Sequence, residues 1–268
     1  MDDYFHANQN LWNEYARAHV GSEFYGVDSF KQGATSLHPL EMDELGDVRE
    51  RSLLHLQCHF GLDTLSWARQ GAQVTGVDFS DQAVALARNL SEECQIPARF
   101  IYCNIYDLPH HLGEQFDIVF TSYGALTWLP DISRWAQIVS HFLKPGGTFY
   151  IVEFHPFALI FDEQSAGLQV RDPYFMDGAF ECLEGGGTYA DPQAKIKQPV
   201  SYEWAYPLGN VVSSLISAGL QIQFLHEFPF TVYQQLSFLV KDSDGYWWMP
   251  DKAKTLPLLF SIRATKVI

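Results

Sequence analysis

At 268 residues, with 47% hydrophobic and 18% charged residues, the chain has the composition of a folded globular protein and not of a disordered one. Its net charge is −15 and no Lys/Arg cluster interrupts that background, which disfavours a nucleic-acid partner, because neutralising phosphates takes cations. No apolar run reaches the roughly 18 residues of a membrane span, and the acidic N-terminus MDDYFHANQNLW is no secretory signal. Cys58, Cys94, Cys103 and Cys182 show no C-x-x-C spacing, so free thiols in a reducing cytoplasm are expected, with no metal site.

Residues 1–50 open with an amphipathic helix over Asn8–His19, carrying Leu11, Trp12, Tyr15 and Ala16 on one side. A second short helix is expected to end near Arg51. The segment is too poor in apolar residues to fold alone and should cap the main domain. From Ser52 the pattern changes. Leu53, Leu54 and Leu56 lead through Gln57-Cys58-His59-Phe60-Gly61 into a helical pattern, and a second apolar run, Val74–Val77, ends on Asp78. Strand, turn, helix, strand and acid in that order form the unit that holds an adenosine cofactor in a doubly wound sheet. The glycine lets backbone approach the ligand, the helix N-terminus offers free N–H groups, and the carboxylate can accept from both ribose hydroxyls.

Further along, strands are predicted over 53–58, 73–78, 99–104, 116–121 and 147–154, with helices over 63–70, 81–94 and 131–142. Ser80 before Ala83, Leu86 and Ala87 is an N-cap signal. This alternation implies a parallel sheet covered on both faces, with 52–154 as the cofactor-binding half. Residues 155–207 break the pattern with aromatics, glycines and prolines, and 185-GGGTYADP-192 reads as a turn or mobile loop; such an excursion is expected to be a substrate lid. Regularity returns over 208–268, with a helix at 208–219 and strands at 221–228 and 257–265.

Several motifs together resemble the class I S-adenosylmethionine-dependent methyltransferases over roughly residues 52–228. They are the turn at 53–61, Asp78-Phe79-Ser80, Cys103-Asn104-Ile105-Tyr106-Asp107-Leu108-Pro109, Phe116-Asp117-Ile118-Val119-Phe120, Leu143-Lys144-Pro145-Gly146-Gly147, and 218-AGLQIQFLHE-227. The resemblance implies a single Rossmann-like α/β domain with a seven-stranded, mostly parallel sheet of order 3-2-1-4-5-7-6, its last strand antiparallel. It implies S-adenosyl-L-methionine as cofactor and a small-molecule acceptor methylated on oxygen, nitrogen or carbon.

Residue by residue, the resemblance places Asp78 on the ribose, Phe79 and Ile105 about the adenine, and Asn104 at the adenine amino group. It sets Gln57, Cys58, His59 and Gly61 under the methionine moiety. Thr121 and Tyr123 fall at the end of the fourth strand, and Trp12, Tyr15 and Tyr25 fold over the cofactor. His55, Gln57, His59 and Gly61 occupy the family's acid and three glycine positions, so only the last glycine is kept. Two readings stay open: His59 or Gln57 hydrogen-bonds the cofactor's amino-acid end, or His59 is a packed turn residue.

His155, after the fifth strand, is the candidate general base, beside Tyr123; the competing reading is a loop histidine before Pro156. Two other functions compete. A nicotinamide oxidoreductase requires G-x-G-x-x-G where Gln57, His59 and Gly61 stand. A non-catalytic cofactor-binding protein suits the altered turn.

Overall fold

The computed structural model describes residues 2–176, 178–183, 187–197, 200–252 and 255–267. Three helices precede the sheet: α1 (Asp2–His19), α2 (Val27–Lys31) and α3 (Pro39–Leu45). They are followed by β1 (Ser52–Leu56), α4 (Leu62–Arg69), β2 (Gln73–Asp78), α5 (Asp81–Glu93), β3 (Arg99–Tyr102), β4 (Phe116–Ser122), α6 (Ile132–Phe142) and β5 (Leu143–Phe154). The remainder holds β6 (Phe180–Leu183), β7 (Val200–Glu203), α7 (Leu208–Ser217), β8 (Leu220–Phe228), β9 (Phe230–Thr231), β10 (Val240–Lys241), β11 (Trp247–Trp248) and β12 (Leu259–Lys266).

The main sheet has seven strands in the order β3-β2-β1-β4-β5-β12-β8, which is the expected 3-2-1-4-5-7-6. β1 runs parallel to β2 and β4, with Leu54 opposite Thr75 and Val119. β12 is antiparallel to both neighbours, Ser261 facing Val152 and His226. The central strands are nearly continuous in apolar residues because helices cover both faces. Successive side chains alternate between those faces. Leu54, Leu56 and Val119 pack with Trp135, Phe149 and Ile262 on one side, and Leu53, Ile118 and Phe120 pack with Trp67 and Tyr150 on the other. Each large apolar side chain buried this way contributes about 1.5–3 kcal/mol.

Several boundaries differ from the sequence reading for local reasons. α1 begins at Asp2, because Phe5 packs edge-on to Tyr106 and the amide of Asn8 pairs with both backbone groups of Tyr202. That polar first half carries its contacts on an amide, which periodicity does not register. The second short helix is two helices, and α3 stops at Leu45, since Gly46 takes φ 76°. β1 ends at Leu56, where Gln57 turns left-handed, and β5 starts at Leu143, ahead of the K-P-G-G turn.

The 155–207 excursion contributes the β6–β7 hairpin, and β7 lies along α1; Trp204 also donates its backbone N–H to the Thr127 carbonyl, at the carboxyl end of β4. A second excursion, between β8 and β12, forms a small sheet, β10-β11-β9. The two share a satellite core of Ala158, Phe161, Leu236, Leu239, Met249 and Leu258. Gly185 and Gly186 of the expected mobile loop lie outside the described residues. Gly187 is described, with φ 109° and no room for a Cβ beside Pro192. No helix among the described residues is long and apolar enough to cross a membrane.

Candidate active site

The site is built where β1 ends. Backbone polarity reverses within five residues, through left-handed conformations at Gln57 (φ 58°), His59 (φ 52°) and Gly61 (φ 83°). Gln57 and His59 therefore keep the backbone of the glycines the resemblance expects, at a cost of about 1–2 kcal/mol each for a residue with a Cβ. Specific bonds hold the turn. Cys58 N–H donates to the Val77 carbonyl at 2.9 Å, Gly61 N–H to the Cys58 carbonyl at 3.0 Å, and the Gln57 amide to the Ala125 carbonyl at 2.8 Å. Packing also requires glycine at 61. A Cβ there would stand 2.7 Å from the Phe100 ring and 3.0 Å from Ala87, so Gly61 serves the packing of the turn on α5 and β3.

Asp78 closes the turn from β2. Its Oδ2 accepts the His59 N–H and its Oδ1 the Ser80 N–H, both at 2.8 Å. Burial lifts its carboxyl to about 6, against the opposing pull of those N–H groups. Phe79 is half-buried beside it, whereas Ile105 is 6% exposed and belongs to the main core. Asn104 Oδ1 is engaged by the Tyr106 N–H, capping the short helix Ile105–His110.

α1 is fastened across the end of β2. Gln9 donates to the Phe79 carbonyl at 2.6 Å, Asn13 donates to Asp81 at 2.8 Å, and Ser80 donates to Asn13 Oδ1 at 2.6 Å. This fixes Trp12, Tyr15 and His19 over the β1 turn. Trp12 meets the His59 ring edge-on at 5.3 Å, and Tyr25 stacks on His19 at 5.2 Å while touching Phe60. Tyr189, from the 155–207 excursion, forms the outer layer and shares a hydrogen bond with the Tyr25 hydroxyl. Five buried polar atoms here have no partner: Trp12 Nε1, both ring nitrogens of His19, Gln57 Oε1 and His59 Nε2. Burial holds His19 down at about 4 and His59 well below its ordinary value. Sequence reasoning missed His19. Its signal was its i, i+4, i+7 spacing with Tyr15 and Trp12 on one face of α1.

At the end of β4, Thr121 is fully buried with an unpartnered hydroxyl, while Ser122 donates to Asp63 at 3.0 Å and lies 3.3 Å from His55 Nε2. His55 Nδ1 meets Thr64 Oγ1 at 2.8 Å, and Ser36 donates to Asp63 at 2.6 Å. Thus His55 stands at the family's acid position, and the acid in its network, Asp63, comes from the first turn of α4. Tyr123 donates its hydroxyl to Glu41 Oε2 at 2.9 Å, and Glu41 Oε1 accepts the His38 N–H at 2.8 Å, within the capping box that starts α3. Glu153 accepts three successive N–H groups, of Gly124, Ala125 and Leu126, and so pins the loop after β4. Its role is structural.

Glu41 carries a pH dependence. It is 0% exposed and burial lifts its carboxyl from 4.5 to about 8. The folded protein then holds a proton that the unfolded chain releases, so stability falls as pH rises through about 8. His19 and His38, held at about 4, and His55, at about 3, act in the opposite sense, but only below their ordinary value of 6.5. Between pH 6.5 and 8 thermal melts should therefore show stability dropping by up to about 1.4 kcal/mol per pH unit. Glu41→Gln should lessen that slope. A wild-type curve that is flat over this range contradicts the assignment.

His155 does not join the others. Its Nε2 pairs with Glu227 at 2.9 Å and its Nδ1 accepts the Phe157 N–H at 3.1 Å, so it ties β5 to β8 with no nitrogen left for a substrate proton. His155→Gln should cost about 1 kcal/mol of stability in denaturant titrations and leave ligand affinity at the β1 turn unchanged. A large affinity loss would return His155 to the site.

Residues 53–147 match the profile of a family described as a methyltransferase domain. Curated relatives include ubiquinone biosynthesis O-methyltransferases. That of Pseudomonas syringae pv. tomato is 28% identical over 130 residues, which is 47% of this chain and 56% of the relative. That of Alkalilimnicola ehrlichii is 30% identical over 115 residues, 41% of this chain and 46% of the relative. The chain spans about half the length of these relatives. Among solved structures, an S-adenosylmethionine-dependent methyltransferase from Mesorhizobium loti has a TM-score of 0.59 at 21% identity, covering 88% of this chain and 100% of that one. One from Clostridium acetobutylicum has a TM-score of 0.58 at 14% identity, covering 96% and 97%. At these identities the structural likeness speaks for the fold.

Proposed function

Because residues 53–147 match a family described as a methyltransferase domain, we propose that the chain is a class I S-adenosylmethionine-dependent methyltransferase, transferring a methyl group to an oxygen, nitrogen or carbon atom of a small-molecule acceptor. The observation that carries this reading is the convergence of Asp78, the left-handed β1 turn and five unpartnered buried polar atoms beneath α1. Burying polar atoms without partners is unfavourable, so the set is complementary to a polar ligand of adenosine and amino-acid character.

S-adenosylmethionine supplies a sulfonium electrophile when bound. The protein's residues then bind, orient and exclude water. Asp78 has lone pairs left for the ribose hydroxyls. Phe79 flanks the adenine. Tyr15, Tyr25 and Tyr189 close the site against solvent. Tyr123, at the carboxyl end of β4, donates to Glu41, and this pair accepts a proton from an acceptor where Glu41 is ionised, above about pH 8. Thr121 lines the same edge. The hairpin of 155–207 supplies the cover on the acceptor side, as a lid would.

The oxidoreductase reading finds no support in a turn without G-x-G-x-x-G or in β12 running antiparallel between β5 and β8. The name shared by the curated relatives makes oxygen the first acceptor atom to try. Four cysteines without a disulfide suit a cytoplasmic protein. The test is to incubate the protein with methyl-labelled cofactor and a panel of phenols, amines and carbon acids. Label in one of them, with stoichiometric S-adenosylhomocysteine, is expected. Cofactor binding with no transfer to any acceptor, cell extract included, would leave a binding protein instead.

A further inference from the structure

His19 is a buried side chain whose polar atoms are unmet. It is 0% exposed, it ends α1, and neither ring nitrogen has a partner. A neutral imidazole always presents one N–H and one lone pair, so both a donor and an acceptor are left unmet inside the protein. Its surroundings do not meet them. Tyr25 stacks on one face at 5.2 Å, Tyr189 stands edge-on at 4.8 Å, and Tyr15 tilts against it at 5.2 Å. The His59 ring lies 5.3 Å away, at 69°, with its own Nε2 unpartnered. Trp12 Nε1 and Gln57 Oε1 are likewise buried without a partner.

We propose that His19 and His59 together seat the carboxylate of the cofactor's amino-acid end, that Gln57 Oε1 receives its ammonium, and that the histidine pair takes up one proton as the ligand enters. This rests on the methyltransferase reading above. The donor set fits the group. A carboxylate needs N–H donors, and protonation turns the second nitrogen of a histidine from lone pair into donor, making the bonds charge-assisted. The ammonium needs an acceptor, and Gln57 holds its oxygen free by committing its amide nitrogen to Ala125.

The charged and titratable groups around the pair oppose charging both histidines at once. Asp191 of the excursion favours the charged form of His19, and the two histidines disfavour each other's charge. In the free protein, burial keeps both neutral at pH 7. Two other neighbours, Tyr25 and Tyr189, are pushed up by burial and stay neutral there. Asp78, held at about 6 and bonded to the His59 backbone, also titrates near this range. It faces the adenosine part, which the comparison below keeps constant.

The experiment is calorimetry on the full chain at pH 7, in buffers of different ionisation enthalpy. The two probes are S-adenosylhomocysteine and 5′-methylthioadenosine, which keeps the adenosine and thioether but has no carboxylate or ammonium. S-adenosylhomocysteine should take up about one proton more than methylthioadenosine. His19→Gln and His59→Gln should abolish that difference and weaken S-adenosylhomocysteine roughly ten- to a hundredfold, with methylthioadenosine affinity unchanged. Equal proton counts for the two ligands in the wild type overturn the proposal. So does a His19→Gln variant that loses both ligands equally, which marks a packing role, or one that loses neither. If the wild type binds neither ligand, the functional reading itself has failed.

Discussion

Asp78→Ala is expected to lower the affinity for S-adenosylhomocysteine by roughly one to two decades, corresponding to about 1.5–3 kcal/mol for hydrogen bonds to a charged acceptor. The loss has two parts. The ribose hydroxyls lose their acceptor, and the His59 and Ser80 N–H groups lose the carboxylate that shapes the β1 turn from behind. Asp78→Asn separates them, since one amide oxygen still accepts. It should fall between wild type and alanine in a titration followed by calorimetry. Unchanged affinity in a folded Asp78→Ala protein removes Asp78 from the site.

Gly61→Ala is expected to cost about 2–4 kcal/mol of stability, through a left-handed φ that disfavours any Cβ and through overlap with a buried ring. The added carbon would sit 2.7 Å from the Phe100 ring, which is itself 5% exposed and cannot swing into solvent. For a chain of this size the melting temperature should fall by roughly 5–10 °C. Phe100→Leu placed on top of Gly61→Ala should recover part of that loss, because the clash is with the ring and not with backbone. A Gly61→Ala protein that melts with the wild type would show that Phe100 gives way.

The sheet was legible in the sequence because its strands are apolar runs, bounded by turns, with helices of 3.6-residue period between them. Asp78 was legible for the same reason: strand β2 ends on it. Gly61 was read as the glycine that lets backbone approach a ligand, and the structure adds a packing reason, Phe100, a residue 39 positions away, which no local pattern reveals. Gln57 and His59 show how a backbone conformation persists after the glycines that usually carry it are gone. His19 had its signal in the face of α1 it shares with Trp12 and Tyr15, whereas Glu41 and Asp63 were not legible as candidate site residues, since each is assigned by tertiary contact: Glu41 by Tyr123, and Asp63 by Ser36 and Ser122. His155 shows the converse. Its place at the carboxyl edge of the sheet was right, and its free nitrogen was not, because Glu227 arrives from a strand 72 residues later.

The most direct measurement of the central claim is a pair of calorimetric titrations of the full chain at neutral pH, one with S-adenosylhomocysteine and one with NAD. Saturable one-to-one binding of S-adenosylhomocysteine, with no heat from NAD, is the predicted result; saturable NAD binding with no response to S-adenosylhomocysteine would contradict it.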